Sequence, residues 1–205
     1  MKTPAGHEIV KDAAKLPAGA FQISTLDLSN LGRKVTDADL ARFAGLRELK
    51  NLYLHGAPEV TDAGLAHLAQ SPALEALVIG STKVTGTGLV HTKNLLQLQM
   101  YGTPVSEAGL KRLAELTKLT HLNLNLTKVT DAQVAHLKSP TNLGHLDLSG
   151  TPLSDTGLEH LTGLSKLKFL YLKNVEVTNA GVQKLAAALP NCTIAWDGGT
   201  SVPKK

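Results

Sequence analysis

The chain has 205 residues, 21 Lys and Arg against 17 Asp and Glu, and therefore a formal charge of +4. The excess is thinly spread, about +1 over the first 102 residues and about +3 over the rest, so no basic block grips phosphates and no nucleic-acid partner is expected. Seven aromatic residues are few for stacking bases, one cysteine (Cys192) excludes an internal disulfide or multi-thiolate metal site, and no apolar run approaches the roughly 18 residues of a membrane span.

The start, Met1 to Val10, lacks the continuous apolar core of a signal peptide, which favours a cytoplasmic protein. Residues 1–22 read as an N-terminal capping segment: Ile9, Leu16 and Phe21 are placed to shield the first repeat. From Ile23 onward leucine dominates, with 37 in the whole chain, too evenly spaced for one core cluster. The pattern L-x-x-L-x-L recurs seven times, beginning at Ile23, Leu49, Leu74, Leu95, Leu119, Leu143 and Leu167, in steps of 26, 25, 21, 24, 24 and 24 residues. Its fourth and sixth positions are apolar and alternate with polar residues, the period of a strand with one buried face. Strands this short have no hairpin partner nearby, so each is expected to pair in parallel with its equivalent one repeat later.

Each strand is followed by a second recurrent block: Val35-Thr36-Asp37, Val60-Thr61-Asp62, Val84-Thr85-Gly86, Val105-Ser106-Glu107, Val129-Thr130-Asp131, Leu153-Ser154-Asp155 and Val177-Thr178-Asn179. A hydroxyl followed by an acid predicts a helix start, with the acid at the positive end of the dipole. Apolar pairs such as Leu65/Leu68, Leu110/Leu113 and Leu158/Leu161 give the inward face of a short helix. Thr82, Thr103, Thr127 and Thr151, in the turn before each block, are expected to bond to the next coil. The third repeat is three residues short and carries Gly86 and Gly88. Counted from its Val-Thr block, Thr92 falls where other repeats have Leu68, Leu113 or Leu137, so 84–94 should be the least regular convex segment.

These motifs resemble the leucine-rich repeats, in particular the bacterial V-T-D-x-G-L-x-x-L class. They are similar to the cysteine-containing repeats of F-box proteins, with Thr or Asn where those often have Cys. The resemblance covers residues 23–189, seven repeats, and the ending Leu189 to Trp196 resembles the closing strand of such arrays. It implies an α/β solenoid, right-handed and curved, with a parallel concave sheet and short convex helices. Residues 190–205 are then a capping strand and a mobile tail from Asp197.

Positions two, four and six after each repeat start form the outer sheet face. The first column runs Thr25, Asn51, Ala76, Gln97, His121, His145, Phe169, and the second Asp27, Tyr53, Val78, Gln99, Asn123, Asp147, Tyr171. The third runs Ser29, His55, Gly80, Tyr101, Asn125, Ser149, Lys173, so all three tyrosines lie on this face. The expected partner contacts are Tyr53, His55, Gln99, Tyr101, His121, Asn123, His145, Asp147, Tyr171 and Lys173. The expected partner is a protein or peptide; the alternative is a glycan or cell-envelope component, which would use Tyr, Asn, Asp and Gln. No catalytic residue, metal or cofactor is expected. His145, Asp147 and Ser149 share a strand face, but Asp147 stands in the middle, and the outer two would be about 13 Å apart in extended strand. His121, His145 and Asp147 offer at best a weak metal site. His67, His91, His136 and His160 recur because the repeat recurs, on the convex outside. Cys192 precedes an apolar strand and reads as a buried structural thiol.

Overall fold

The computed structural model describes residues 22–138 and 142–203, so the expected N-terminal shield of Ile9, Leu16 and Phe21 lies outside the described residues. Eight short strands line up in chain order in one sheet: β1 (Thr25–Asp27), β2 (Asn51–Tyr53), β3 (Ala76–Val78), β4 (Gln97–Gln99), β5 (His121–Asn123), β6 (His145–Asp147), β7 (Phe169–Leu172) and β8 (Thr193–Trp196). All seven pairings among them are parallel and in register. The middle residue of each repeat strand stacks on the next, from Leu26 through Leu52, Leu77, Leu98, Leu122, Leu146 and Leu170 to Ile194. Register is fixed because a slip of one residue would turn this leucine column to solvent.

The chain does not loosen at Asp197. It turns back and forms β9 (Gly199–Ser201), antiparallel to β8, with Ile194 opposite Ser201 and Trp196 opposite Gly199. The expected mobile tail is thus corrected: an edge with no further coil to cover it is paired by its own continuation.

The return paths of every repeat but the third carry the helices α1 (Asp37–Ala41), α2 (Asp62–Leu65), α3 (Glu107–Leu113), α4 (Asp131–Val134), α5 (Asp155–Glu159) and α6 (Asn179–Ala188). Between sheet and helices runs one continuous core of Leu, Val, Ile and Met side chains. The turn after each strand from β2 to β7 is left-handed at one equivalent position, occupied by Gly56, Ser81, Gly102, Leu126, Gly150 and Asn174. The buried threonines beside it differ from expectation. Thr82, Thr103, Thr127 and Thr151 donate to carbonyls three residues back in their own coil, Ile79, Met100, Leu124 and Leu148, and not to the next coil.

The acids of the Thr-Asp blocks do more than face a dipole. The Asp37 carboxylate accepts from the amide and hydroxyl of Thr61 at 2.8 and 2.6 Å. Asp131 does the same for Ser154, and Asp155 for Thr178, each reaching 23 residues ahead into the next coil. Asp62 accepts from Thr85 twice and from the amides of Gly86 and Gly88. Burial pushes the Asp62 carboxyl up, but these bonds outweigh it and hold the group below the usual aspartate value.

The third repeat has no α-helix. A single 3-10 turn, Thr87–His91, replaces it, in keeping with the expected irregularity. The position of Thr92 is a correction, however. The Thr92 amide donates to Leu89 and its carbonyl accepts from Leu95, as Ser71 does with Leu68 and Leu74 and Leu116 with Leu113 and Leu119. Thr92 therefore corresponds to Ser71 and Leu116, and what is missing is one helical turn ahead of it.

Candidate functional site

Period-2 alternation turns every second strand residue outward, and burial follows it: in β2, β3, β5 and β6 a fully buried leucine sits between two half-exposed residues. The outer face is therefore the three columns read from the sequence. Its chemistry is uneven along the stack.

In the first column three rings are superposed. His121 stacks on His145 with centroids 4.1 Å apart and planes 12° off parallel, and His145 stacks on Phe169 at 4.7 Å and 21°. In-register parallel strands make this geometry unavoidable when ring residues occupy one column in consecutive repeats. Burial between its neighbours, with the charges of His121 and Lys168 close by, holds the His145 imidazole below its ordinary value. Its Nδ1 is buried without a hydrogen-bond partner, whereas His121 Nδ1 lies 2.8 Å from the Thr120 hydroxyl. The two expected ladder histidines are both half-exposed, and His145 is in addition sandwiched between the rings of His121 and Phe169. Stacked face to face, their nitrogens do not converge on a point between them, and among the described residues no group of three His, Cys, Asp or Glu side chains is placed to hold a metal.

Phe169 and Tyr171 are the exposed aromatics of the face, at 38% and 41%. Tyr53 and His55 are half-buried. The Tyr101 ring lies flat over Gly80, so close that a Cβ there would stand 2.3 Å from the ring. Gln99 is exposed on β4. Asn123 and Asp147 each accept from the amide two residues on, Asn125 and Ser149, closing the turn that ends their strands. Ser149 is itself buried and its oxygen accepts from the Lys173 amide. Lys173 Nζ reaches the Trp196 carbonyl and ties the last repeat to the closing strand. The ten expected residues thus share one face without forming one cluster, and Phe169, absent from them, completes the aromatic stack. Three ring residues at equivalent positions in consecutive repeats were the signal for it.

Of the convex histidines, His136 lies 3.6 Å from Glu107. Burial pushes the Cys192 thiol up to about 11, which keeps it protonated and unreactive at neutral pH.

A sheet built strand by strand in parallel from coils of about two dozen residues, closed by short convex helices, defines a leucine-rich-repeat protein. The chain is one. A family model described as Leucine Rich repeat matches residues 115–132 and 139–161. Among solved structures, internalin C2 (inlC2) from Listeria monocytogenes str. 4b F2365 is similar with a TM-score of 0.67 at 23% identity, covering 84% of this chain and 70% of that one. An internalin (inlF) from the same organism is similar with a TM-score of 0.64 at 25% identity, covering 78% of this chain and 44% of its own. No curated protein sequence matches the chain. Among the described residues, no helix is long and apolar enough to cross a membrane.

Proposed function

We propose that the protein is a non-enzymatic binding module whose concave sheet face takes a protein or peptide. One observation carries this reading: the stretch of the face over β5 to β7 presents Phe169 and Tyr171 to solvent beside the His121–His145 stack. Rigid rings mounted on a sheet lose little entropy on binding and supply much contact area. The polar surround of Gln99, Asn123, Asp147 and Lys173 suits the rim of such a patch. Tyr53, His55 and Tyr101, on earlier coils, extend the surface rather than anchor it.

Affinity capture from the native cell, comparing the wild type with Phe169→Ala/Tyr171→Ala, tests the proposal. A protein partner retained by the wild type and lost by the double variant is the expected result. Partners captured equally by both would move binding to another surface. A glycan array run with the same pair separates the alternative: saturable glycan binding that depends on these two rings would replace the protein partner.

A further inference from the structure

The two histidines of the concave stack differ in their hydrogen bonds. The Thr120 hydroxyl donates its one proton to the Leu96 carbonyl at 2.9 Å, so its oxygen accepts from His121 Nδ1, 2.8 Å away. Nδ1 of His121 therefore carries a proton, and Nε2, unbonded among the described residues, is left to take a second. His145 is the reverse: its Nδ1 is buried with no partner, and a proton there would be a stranded donor. His121 can thus become a cation with both N–H groups served, while His145 is held as a neutral ring. Beyond Phe169 the stack stops. In register with Phe169 and Tyr171 stand Thr193 and Ala195 of β8, small and half-buried, which leaves the second face of Phe169 bare above a step one strand wide.

We propose that this face takes an acidic partner segment carrying an aromatic side chain, with His121 as its proton-switched contact, so that binding tightens in mild acid. The inference rests on the protein-binding reading and names the partner's chemistry. A ring laid on the step over Thr193 and Ala195 would continue the stack at the spacing of adjacent strands, about 4.8 Å. Charge complementarity sets what flanks that ring. The turns leading into β4, β5 and β7 hold Lys93, Lys118, Lys166 and Lys168 against one acid, Glu115, which is bonded to Arg112. On the outer columns from β4 to β8 the acids are Asp147 and Asp197, engaged by the amides of Ser149 and Asn174. The groups around His121 are Gln97 of β4, His145 and Asp147 of β6, and the lysines Lys118 and Lys168 at the strand entries. Protonated, His121 donates through Nε2 to a carboxylate in a charge-assisted bond; neutral, it turns a lone pair toward that carboxylate and repels it.

Amide chemical shifts of the full chain, titrated with the end-blocked peptide Glu-Glu-Tyr-Glu-Glu at about pH 7.5 and 5.5, test this; glutamates stay mostly ionised over that range while histidines change charge. Saturable shifts on β5 to β8 are expected, with affinity about fivefold or more higher at the lower pH. The peptides Gln-Gln-Tyr-Gln-Gln and Glu-Glu-Ala-Glu-Glu should each bind several-fold more weakly there. His121→Gln should flatten the pH dependence. Thr193→Phe fills the step with the chain's own ring and should abolish binding, and Lys168→Gln should weaken it several-fold, each with the thermal transition of the wild type. Equal affinity for the glutamine peptide, the same affinity at both pH values, a pH dependence kept by His121→Gln, or undiminished binding to Thr193→Phe would each overturn the assignment. If the peptides fail to bind while affinity capture still depends on Phe169 and Tyr171, the acidic-segment assignment falls and the binding face stands.

Discussion

Leu126 holds a left-handed backbone, φ +57°, at a turn position where three of its five equivalents are glycine, and its side chain is 64% exposed. A branched side chain in that region costs on the order of 1–2 kcal/mol, and so exposed a leucine recovers little of it by burial. Leu126→Gly should therefore raise unfolding stability by about 1 kcal/mol, read from a denaturant melt; a loss of stability would mean that its contact over Gly150 outweighs the strain. His145 makes a second residue-level prediction. Its folded-state value lies below the ordinary 6.5, so the unfolded chain binds this proton more tightly than the folded one. Well above 6.5 the group has no effect. As pH falls through 6.5 and toward the folded value, stability declines, and below that value the loss is complete. His145→Phe keeps a ring in the stack and removes the proton, so its stability should fall less than the wild type's between about pH 7.5 and 5. Parallel curves for the two proteins would exclude His145 as the source.

The Thr-Asp block is the element that most exceeds its local reading. Where an aspartate tie arrives from the previous coil, as in α2, α5 and α6, the third residue after the capping hydroxyl is Gly64, Gly157 or Gly181, and a Cβ there would lie 2.1–2.3 Å from that carboxylate. In α3, where Gly86 stands in place of the acid one coil back, Ser106 donates to the Thr85 carbonyl and the same position is Gly109, whose Cβ would stand 2.0 Å from that carbonyl; in α1 and α4 the position caps its own helix. Asp39 accepts from Thr36, and Gln133 accepts from Thr130 because Glu107, one coil back, is turned to Lys111. Asp131→Ala should cost about 1–2 kcal/mol by unpairing the Ser154 amide and hydroxyl. Gln133→Gly should destabilise the native chain but cost little once Glu107→Asp supplies a tie, a coupling of about 1 kcal/mol in a double-mutant cycle. Additive effects would show that the coils do not communicate here. This ladder was hidden in the sequence because a Ser/Thr-Asp pair looks identical whether its acid serves its own helix or the next coil. The glycine position discloses it only when repeats are compared side by side. Thr92 was misplaced for a related reason: counting from the helix start carries a deletion forward, whereas the backbone bonds count from the strand.

Along the whole molecule, the parallel sheet, its register and its outward columns were legible because seven leucine-spaced strands admit one arrangement that buries every leucine column. What lies on those columns was less so: composition placed the rings, but only geometry separates Tyr101, laid over Gly80, from the exposed Tyr171. The C-terminal end escaped prediction because Gly, Ser and Pro describe a loose tail equally well as a tight return. Stability in a solenoid is a sum over neighbours, and the last coil has a neighbour on one side alone. Here β9 supplies the missing contact, the Asn174 amide donates to Asp197 at 2.8 Å, and Lys173 reaches the Trp196 carbonyl. Ending the chain at Trp196 removes the strand and Asp197 together and leaves the outer edge of β8 unpaired over Ile194. The truncated protein should lose about 1–3 kcal/mol from several hydrogen bonds. Its bare edge should also pair with a second copy, giving concentration-dependent sedimentation that the full chain does not show. A truncated protein as stable and as monodisperse as the full chain would mean that β8 closes the solenoid unaided.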